Sequence, residues 1–147
     1  MEDCVFCRLV RGDADCSKVY EDDKLLAFMD VRPVNSGHML VIPKAHFKLV
    51  TELDDMTTAR IFMVAKRLNA ALKKSGIKCE AVTYLVADGE SAKQEVPHVH
   101  LHIIPRYDKD GFGMKFPRKR TVQDRGDLNE TAVKIRGSLG IGKPVPQ

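Results

Sequence analysis

The chain has 147 residues, of which 44% are hydrophobic and 30% charged, so it is long and apolar enough for one globular domain, which excludes a disordered or fibrous chain. No apolar run approaches the roughly 18 residues that span a bilayer, and the amino terminus is acidic, unlike a signal peptide. We therefore expect a cytoplasmic protein with no membrane partner. The net charge of +4 arises near the carboxyl terminus, where residues 115–147 hold 8 basic and 3 acidic side chains.

The first half of the chain predicts three strands. Apolar stretches bounded by turn residues indicate strands at 18–20, 24–29 and 38–42, of which the first two form a hairpin. Pro43 stops the third strand. Residues 4–10 are short and mixed in character, so we assign them no regular element.

The second half predicts one long helix and two further strands. Apolar residues at helical spacing indicate a helix over 52–74, which ends at a Ser-Gly pair. Strands follow at 81–86 and 99–104, separated by a polar loop, and Pro105 ends the last strand. These elements together predict an α+β fold in which one helix packs on a five-stranded antiparallel sheet.

The carboxyl-terminal part predicts a separate extension. Residues 127–139 show partly helical spacing, and Asp127 suits the amino-terminal cap of a short helix. We divide the chain into a main domain at 1–117 and a basic extension at 118–147. The basic extension lacks the interleaved aromatic residues of a single-strand binding platform, so we expect no nucleic-acid partner.

The four cysteines do not predict a disulfide framework, because they are unevenly spaced in a chain without a secretion signal. Only Cys4 and Cys7 form a close pair, with the spacing of two thiolates that bind one tetrahedral zinc ion. Two unrelated cysteines fit this spacing equally well. The pair alone therefore leaves the question of a metal open.

Three of the five histidines alternate with apolar residues in the last predicted strand. Side chains two residues apart share one face of a strand and lie about 6.6 Å apart, so His98, His100 and His102 would form a row. An exposed strand or a metal-binding row would give the same pattern. His38 begins a similar alternation and would add a fourth imidazole, and neutral imidazole is a suitable nucleophile toward phosphorus.

Residues 98–104 match the signature of the histidine triad (HIT) superfamily, in which three histidines alternate with apolar residues. The resemblance covers about residues 4–117 and includes several other motifs of that family. These motifs are Phe28-Met29-Asp30, Gly37-His38, Leu40-Val41-Ile42-Pro43-Lys44, His46, Pro97 and Ile104-Pro105-Arg106. The resemblance implies a HIT-like fold and a homodimer in which the sheets of two copies join and the helices meet.

The resemblance also implies catalytic roles for three histidines. His100 would attack the α-phosphate of a nucleotide and form a nucleotidyl-histidine intermediate, which water would hydrolyse to a nucleoside monophosphate such as AMP. His102 would contact the phosphate or the leaving group and assist proton transfer, and His38 would complete the polar site. The His98 position would orient His100. Related transferases carry Gln at the position of His102, so this chain is expected to favour hydrolysis.

Six further residues match nucleotide contacts of the family. Asp30 would accept hydrogen bonds from the ribose hydroxyls, although a loop-capping role is also open. Gln94 would bind near the scissile phosphate. The positions that line the base pocket, which also fit an ordinary core, are Val5, Phe6, Phe28 and Val31.

Similar HIT proteins complete a Cys2His2 zinc site with two histidines, which correspond here to His46 and His98. With Cys4 and Cys7 they would form a closed structural site that ties the amino-terminal segment to the sheet. This assignment leaves His38, His100 and His102 for phosphate chemistry.

The loop before the histidine run departs from the family pattern at three positions. Many relatives carry Asn at Ala87, Gly at Lys93 and Ser or Thr at Glu95, where a carboxylate would repel a phosphate.

From the family resemblance we expect a hydrolase of purine nucleoside phosphoramidates. The alternatives are a diadenosine polyphosphate hydrolase, a nucleotide-binding interaction protein with little catalysis, and a purely metal-binding module.

Overall fold

The structure is a computed structural model that describes residues 4–113 and 121–139. It contains five strands and three α-helices, with two short 3-10 helices at Val50–Glu52 and Glu90–Ala92. The strands are β1 (Lys18–Glu21), β2 (Leu25–Met29), β3 (Met39–Pro43), β4 (Ala81–Leu85) and β5 (Leu101–Arg106). The helices are α1 (Val5–Arg11), α2 (Asp55–Lys74) and α3 (Arg125–Ser138).

The strands form one antiparallel sheet in the order β1-β2-β3-β5-β4, which confirms the five-stranded sheet expected from the sequence. The last strand in the chain, β5, inserts between β3 and β4. Its register places His102 opposite Leu40, which in turn lies opposite Phe28. The insertion therefore brings the histidine segment to the centre of the sheet, beside the strand that follows His38.

Helix α2 covers one face of the sheet. It begins at its cap residue Asp54, whose side chain accepts a hydrogen bond from the backbone of Thr57. Its buried stripe recurs every three or four residues, as a helix with one apolar face requires. The stripe consists of Ile61, Val64, Ala65, Leu68 and Leu72 and packs on Leu25, Ala27, Met39, Val41, Leu101 and Ile103.

Helix α1 covers the opposite face, and the sequence analysis missed it. Phe6 and Leu9 are buried against the other set of strand side chains, which includes Leu26, Phe28 and Leu40. A helix of seven residues is too short to form by propensity alone, so its packing and not its local pattern stabilises it. The histidine side of the sheet is thus the side on which α1 lies.

Strand β5 begins and ends two residues later than predicted. Pro105, expected to end the strand, lies inside it and pairs with Val82. Strand β3 pairs with β5 only from Leu101 to Ile103, so Pro105 lies where β5 has a neighbour on one side. A proline is tolerated there because one edge of the strand needs no N–H donor.

The chain divides into two compact units between Phe112 and Gly113. The second unit contains α3, and Asp124 caps it by accepting a hydrogen bond from the backbone of Gly126. The expected cap, Asp127, is therefore wrong by one helical turn. The proposed boundary after residue 117 and the basic residues 118–120 lie outside the described residues, so that boundary stays a prediction.

No helix in the described ranges 4–113 and 121–139 is long and apolar enough to cross a membrane. The cytoplasmic location stays a prediction.

Candidate active site and metal centre

The ring of His100 is fixed by a backbone carbonyl. Its Nδ1 lies 2.7 Å from the carbonyl oxygen of His98, and a carbonyl only accepts hydrogen bonds. The proton of the neutral ring is therefore on Nδ1, and Nε2 carries a free lone pair. His100 is buried and precedes β5, and its ring lies 4.9 Å from that of His102, measured between centroids.

His38 and His102 form a second imidazole pair. The backbone N–H of Val34 donates to Nδ1 of His38 over 3.1 Å, so the proton of neutral His38 is on Nε2. That Nε2 lies 2.9 Å from Nδ1 of His102 and donates to it. The proton of His102 is consequently on its own Nε2, which makes this atom a hydrogen-bond donor.

Both members of this pair are neutral at physiological pH. Burial, together with the neighbouring His100 and His38, lowers the pKa of His102 to about 4, while Asp30 opposes the shift. Burial also lowers the pKa of His38, again against the opposing charge of Asp30. The tautomers derived from the hydrogen bonds therefore describe the forms present near pH 7.

Asp30 lies beside this pair. Its backbone N–H donates to the carbonyl of His38 over 3.0 Å, which extends the pairing of β2 with β3. One carboxylate oxygen accepts the backbone N–H of Arg32, and the other lies 3.6 Å from Nε2 of His38. The carboxylate keeps lone pairs for further donors such as hydroxyl groups.

The four candidate residues of the base pocket differ in exposure. Phe6 and Phe28 are buried, with ring centroids 5.5 Å apart, and Phe6 also lies 5.3 Å from the ring of His100. Val5 is 43% exposed and Val31 90% exposed. The two aromatic rings thus belong to the core beneath His100, whereas the two valines are accessible.

The side chain of Gln94 is fixed by two backbone groups, one in its own loop and one after His46. Its amide oxygen accepts the backbone N–H of Gly89, and its amide nitrogen donates to the carbonyl of Lys48, both over 2.8 Å. One amide hydrogen remains for another acceptor. The side chain therefore ties the loop before the histidines to the segment after His46.

Two charged residues of this loop, Lys93 and Glu95, differ from the family pattern described above. Glu95 lies 3.3 Å from the guanidinium of Arg32, and both side chains are largely exposed. Lys93 adopts a left-handed conformation with φ of 66°, which glycine adopts without strain. The carboxylate that we expected to repel a phosphate is thus offset by a neighbouring positive charge.

A second cluster unites Cys4, Cys7, His46 and His98. One ligand atom of each lies within 4.8 Å of all the others. Nδ1 of His98 is 3.5 Å from Sγ of Cys4 and 3.7 Å from Sγ of Cys7, and Nδ1 of His46 is 3.2 Å from Sγ of Cys7. In a tetrahedral zinc site with bonds of about 2.3 Å to sulfur and 2.0 Å to nitrogen, sulfur and nitrogen are separated by about 3.5 Å.

The protonation of His98 also fits a metal. Its Nε2 donates to the carbonyl of Pro43 over 2.8 Å, so Nδ1 carries the lone pair that faces the sulfurs. Burial raises the pKa of the Cys7 thiol, and the adjacent Cys4 raises it further. Two thiolates in this position require a cation, and two sulfur and two nitrogen donors are a set that zinc prefers.

A different group, Asp30, His38 and His102, has ligand atoms equally close together. A metal on Nε2 of His38 would move the proton of the neutral ring to Nδ1, where it would face the N–H of Val34. The hydrogen bonds therefore favour a proton over a metal at this place. Within the described part of the chain, His100 belongs to neither group.

The histidine run is not the single row that its alternation predicts. Only His102 lies in a strand, while His98 and His100 precede it. The ring of His98 contributes to the cysteine cluster, and the rings of His100 and His102 are closer together than residues two apart on a strand. The sequence analysis missed Val34 and Pro43, because backbone groups that orient a ring leave no residue-type signal.

Comparisons with known proteins find relatives in sequence and in fold. A family model described as the HIT domain matches residues 11–109. Adenosine 5'-monophosphoramidase of Schizosaccharomyces pombe is 39% identical over 115 residues, which are 78% of this chain and 83% of that protein. A HIT family structure from Bacillus subtilis has a TM-score of 0.87 at 36% identity and covers 95% of this chain and 99% of its own.

A zinc-bound histidine triad family structure from Mycobacterium smegmatis has a TM-score of 0.73 at 33% identity, with coverage of 93% of this chain and 98% of its own.

Proposed function

Since the chain belongs to the histidine triad (HIT) family, we propose that it is a nucleotide hydrolase that cleaves purine nucleoside phosphoramidates of the adenosine 5'-monophosphoramidate type. The observation that carries this proposal is the tautomer of His100. The proton of the neutral ring is held on Nδ1 by the carbonyl of His98, so Nε2 carries the lone pair of a nucleophile.

In the first half of the proposed reaction, the lone pair of His100 Nε2 attacks the α-phosphorus. A bond between phosphorus and His100 forms while the bond to the leaving amine breaks, and the amine takes up a proton that His102 passes on from solvent. His102 donates from Nε2 to a phosphoryl oxygen or to the leaving nitrogen. In the second half, water adds to phosphorus, the bond to His100 breaks and AMP leaves, and the proton that the water loses goes back to solvent by way of His102.

Six residues are assigned to nucleotide recognition. Asp30 would accept hydrogen bonds from the ribose hydroxyls with the lone pairs that Arg32 leaves free. The accessible side chains of Val5 and Val31 would contact the base above the buried pair Phe6 and Phe28. Gln94 would use its remaining amide hydrogen near the phosphate.

We propose that Cys4, Cys7, His46 and His98 bind a structural zinc ion. The ligand atoms have the separations of a tetrahedral site, and the lone pair of His98 faces them. All four positions are taken by protein atoms, so the ion would hold α1 against the sheet and take no part in the chemistry. His98 would serve twice, because its carbonyl also orients His100.

Incubation of the purified protein with adenosine 5'-monophosphoramidate, with release of AMP as the measurement, tests the function. We expect turnover by the wild type and none by His100→Ala. A trapped adenylyl group on His100 after rapid quenching in alkaline denaturant, where a bond between phosphorus and imidazole nitrogen survives, would identify the intermediate. Turnover that survives in His100→Ala would overturn the proposed nucleophile.

The same assay separates the alternatives. A diadenosine polyphosphate hydrolase would release AMP from diadenosine tetraphosphate faster than from the phosphoramidate. An interaction protein would bind AMP and turn over neither substrate. Ala87 and Glu95 motivate that alternative, and the guanidinium of Arg32, 3.3 Å from the Glu95 carboxylate, offsets part of its charge.

We further propose that the protein is a homodimer joined through β4 and α2. Strand β4 is an edge of the sheet, and the exposed side chains of Phe62 and Met63 on α2 lie on the outer surface. The ring of Tyr84 in β4 lies 6.5 Å from that of Phe62 between centroids. An apolar patch continuous with an unpaired strand edge suits a second copy of the same chain.

A further inference from the structure

A buried ion pair lies at the end of β5. The carboxylate of Asp110, 3% exposed, accepts hydrogen bonds from Nε and Nη2 of Arg106 over 2.5 and 2.9 Å. It also accepts the backbone N–H of Phe112 over 3.0 Å and the side-chain amide of Asn35 over 2.9 Å. Four donors therefore converge on one carboxylate, which fixes the position of Asn35.

Asn35 connects this ion pair to the turn before His38. The second hydrogen of its amide donates to the carbonyl of Pro105 over 2.8 Å, so both hydrogens of the buried amide are used. The backbone carbonyl of Asn35 accepts a hydrogen bond from the backbone N–H of His38 over 3.0 Å. Gly37 completes the turn at φ of 92°, where an added Cβ would lie 3.0 Å from Leu72. The turn is thus held from both sides.

The turn determines which nitrogen of His38 carries the proton. Its residue Val34 directs the N–H at Nδ1 of His38, which leaves the proton on Nε2 and passes the same tautomer to His102. We infer that Asn35 and Asp110 are positioning residues of the proposed reaction, which hold this turn so that His102 presents an N–H and not a lone pair to the substrate. The inference rests on the proposed function.

Loss of the turn would reverse the hydrogen bond between His38 and His102. With a proton on Nδ1 of His38, its Nε2 would accept from Nδ1 of His102, and Nε2 of His102 would become a lone pair. A lone pair repels the phosphoryl oxygens instead of stabilising the charge that develops on them. Substrate binding elsewhere would remain, so the effect falls mainly on kcat.

Nitrogen NMR spectra of the zinc-supplied full chain, with isotope-labelled histidine at neutral pH, test the inference directly because the two tautomers give different ring nitrogen shifts. Asn35→Ala and Asp110→Asn are expected to lose the single Nε2-protonated form of His38 and His102. Val34→Pro removes the N–H itself and should do the same, while Val34→Ala keeps it and should match the wild type.

Asp22→Asn is the matched control for a purely structural effect. The carboxylate of Asp22, 16% exposed, likewise accepts hydrogen bonds from an arginine and two backbone N–H groups, but it lies in the β1-β2 turn. It should lose stability without a change of tautomer. In the phosphoramidate assay, kcat of Asn35→Ala and Asp110→Asn should fall by about 100- to 1,000-fold, as for the loss of one donor, with KM changed far less.

Wild-type tautomers in Asn35→Ala and Asp110→Asn, or an equal change in Asp22→Asn, would overturn the inference. If Val34→Pro does not fold, the other two variants decide. The spectra need no substrate, so they remain decisive if the wild type releases no AMP, an outcome that would count against the proposed function alone.

Discussion

At the scale of single residues, the burial of His102 links stability to pH. Its pKa is about 4 in the folded chain and 6.5 when unfolded. Between these values the unfolded chain binds a proton that the folded chain does not, so the free energy of unfolding decreases as the pH falls through this window. Above about pH 7 the ring of His102 is neutral in both the folded and the unfolded chain, so it no longer contributes to the pH dependence of stability.

His102→Gln isolates this contribution. Urea unfolding at about pH 7 and about pH 4.5 should show a loss of stability that is smaller in the variant by on the order of 2 kcal/mol. Shifted carboxylates such as Asp22, whose pKa is lowered from 3.8 to about 2, lie below this range and are unchanged in the variant, so they do not affect the comparison. An identical loss in both proteins would contradict the assignment.

The backbone of Lys93 predicts a stabilising substitution. A side chain at φ of 66° is strained, and Gly relieves that strain but loses more entropy on folding. We expect Lys93→Gly to raise the free energy of unfolding by about 0.5 to 1 kcal/mol in urea titrations. Lys93→Ala removes the same charge and keeps the strain, so a gain of equal size in Lys93→Ala would show that charge is the cause.

The family resemblance predicted which imidazoles meet, but not how each is protonated. The alternation around His100 and the similar alternation that begins at His38 indicated one polar site, and the structure brings these two rings together with His102. The tautomers depend on the carbonyl of His98 and the N–H of Val34, which every residue type possesses. Such backbone partners follow from the path of the chain and leave no pattern in the sequence.

At the scale of elements, α1 depends on its attachment to the sheet. It has seven residues, and the side chain of its cap residue Cys4 makes no capping hydrogen bond. If zinc binds Cys4 and Cys7, these two residues anchor the cap and the first turn of the helix to His46 and His98. The element that local propensity could not predict is then stabilised by a metal site and by Phe6 in the core.

Cys4→Ala should therefore lose zinc, measured by elemental analysis of the purified protein. We also expect faster hydrogen exchange in α1 and a lower Tm, because the helix keeps only its apolar contacts. Cys16→Ala is the matched control, since this partly buried thiol lies outside the cluster, and it should keep full zinc content. Equal zinc content in wild type and Cys4→Ala would contradict the site.

The end of β5 depends on the strands that pair with it. A proline after an apolar run ordinarily indicates the end of a strand, and Pro43 does end β3. Pro105 lies beyond the stretch in which β3 pairs with β5, so its missing N–H faces no partner. The strand order that makes this proline harmless is a long-range property, and the local sequence does not contain it.

At the scale of the whole molecule, the two edges of the sheet are unequal. The β1 edge carries Lys18 and Glu21, and its pairing with β2 is irregular between Lys18 and Tyr20. Charges and irregularities of this kind prevent pairing with another strand. Strand β4 has the uncharged sequence Ala-Val-Thr-Tyr-Leu and regular pairing with β5, so it is the edge that a second copy can extend.

Phe62→Glu should therefore convert the proposed dimer to a monomer, because it places a charge in the apolar patch beside that edge. Phe62 is 54% exposed, so its replacement should change the stability of the monomer little. Sedimentation velocity measures the change. Val19→Glu on β1 is the matched control: Val19 is 44% exposed on the opposite edge, and the variant should remain dimeric. A monomer in Val19→Glu with a dimer in Phe62→Glu would move the interface to β1, and a monomeric wild type would rule out the dimer.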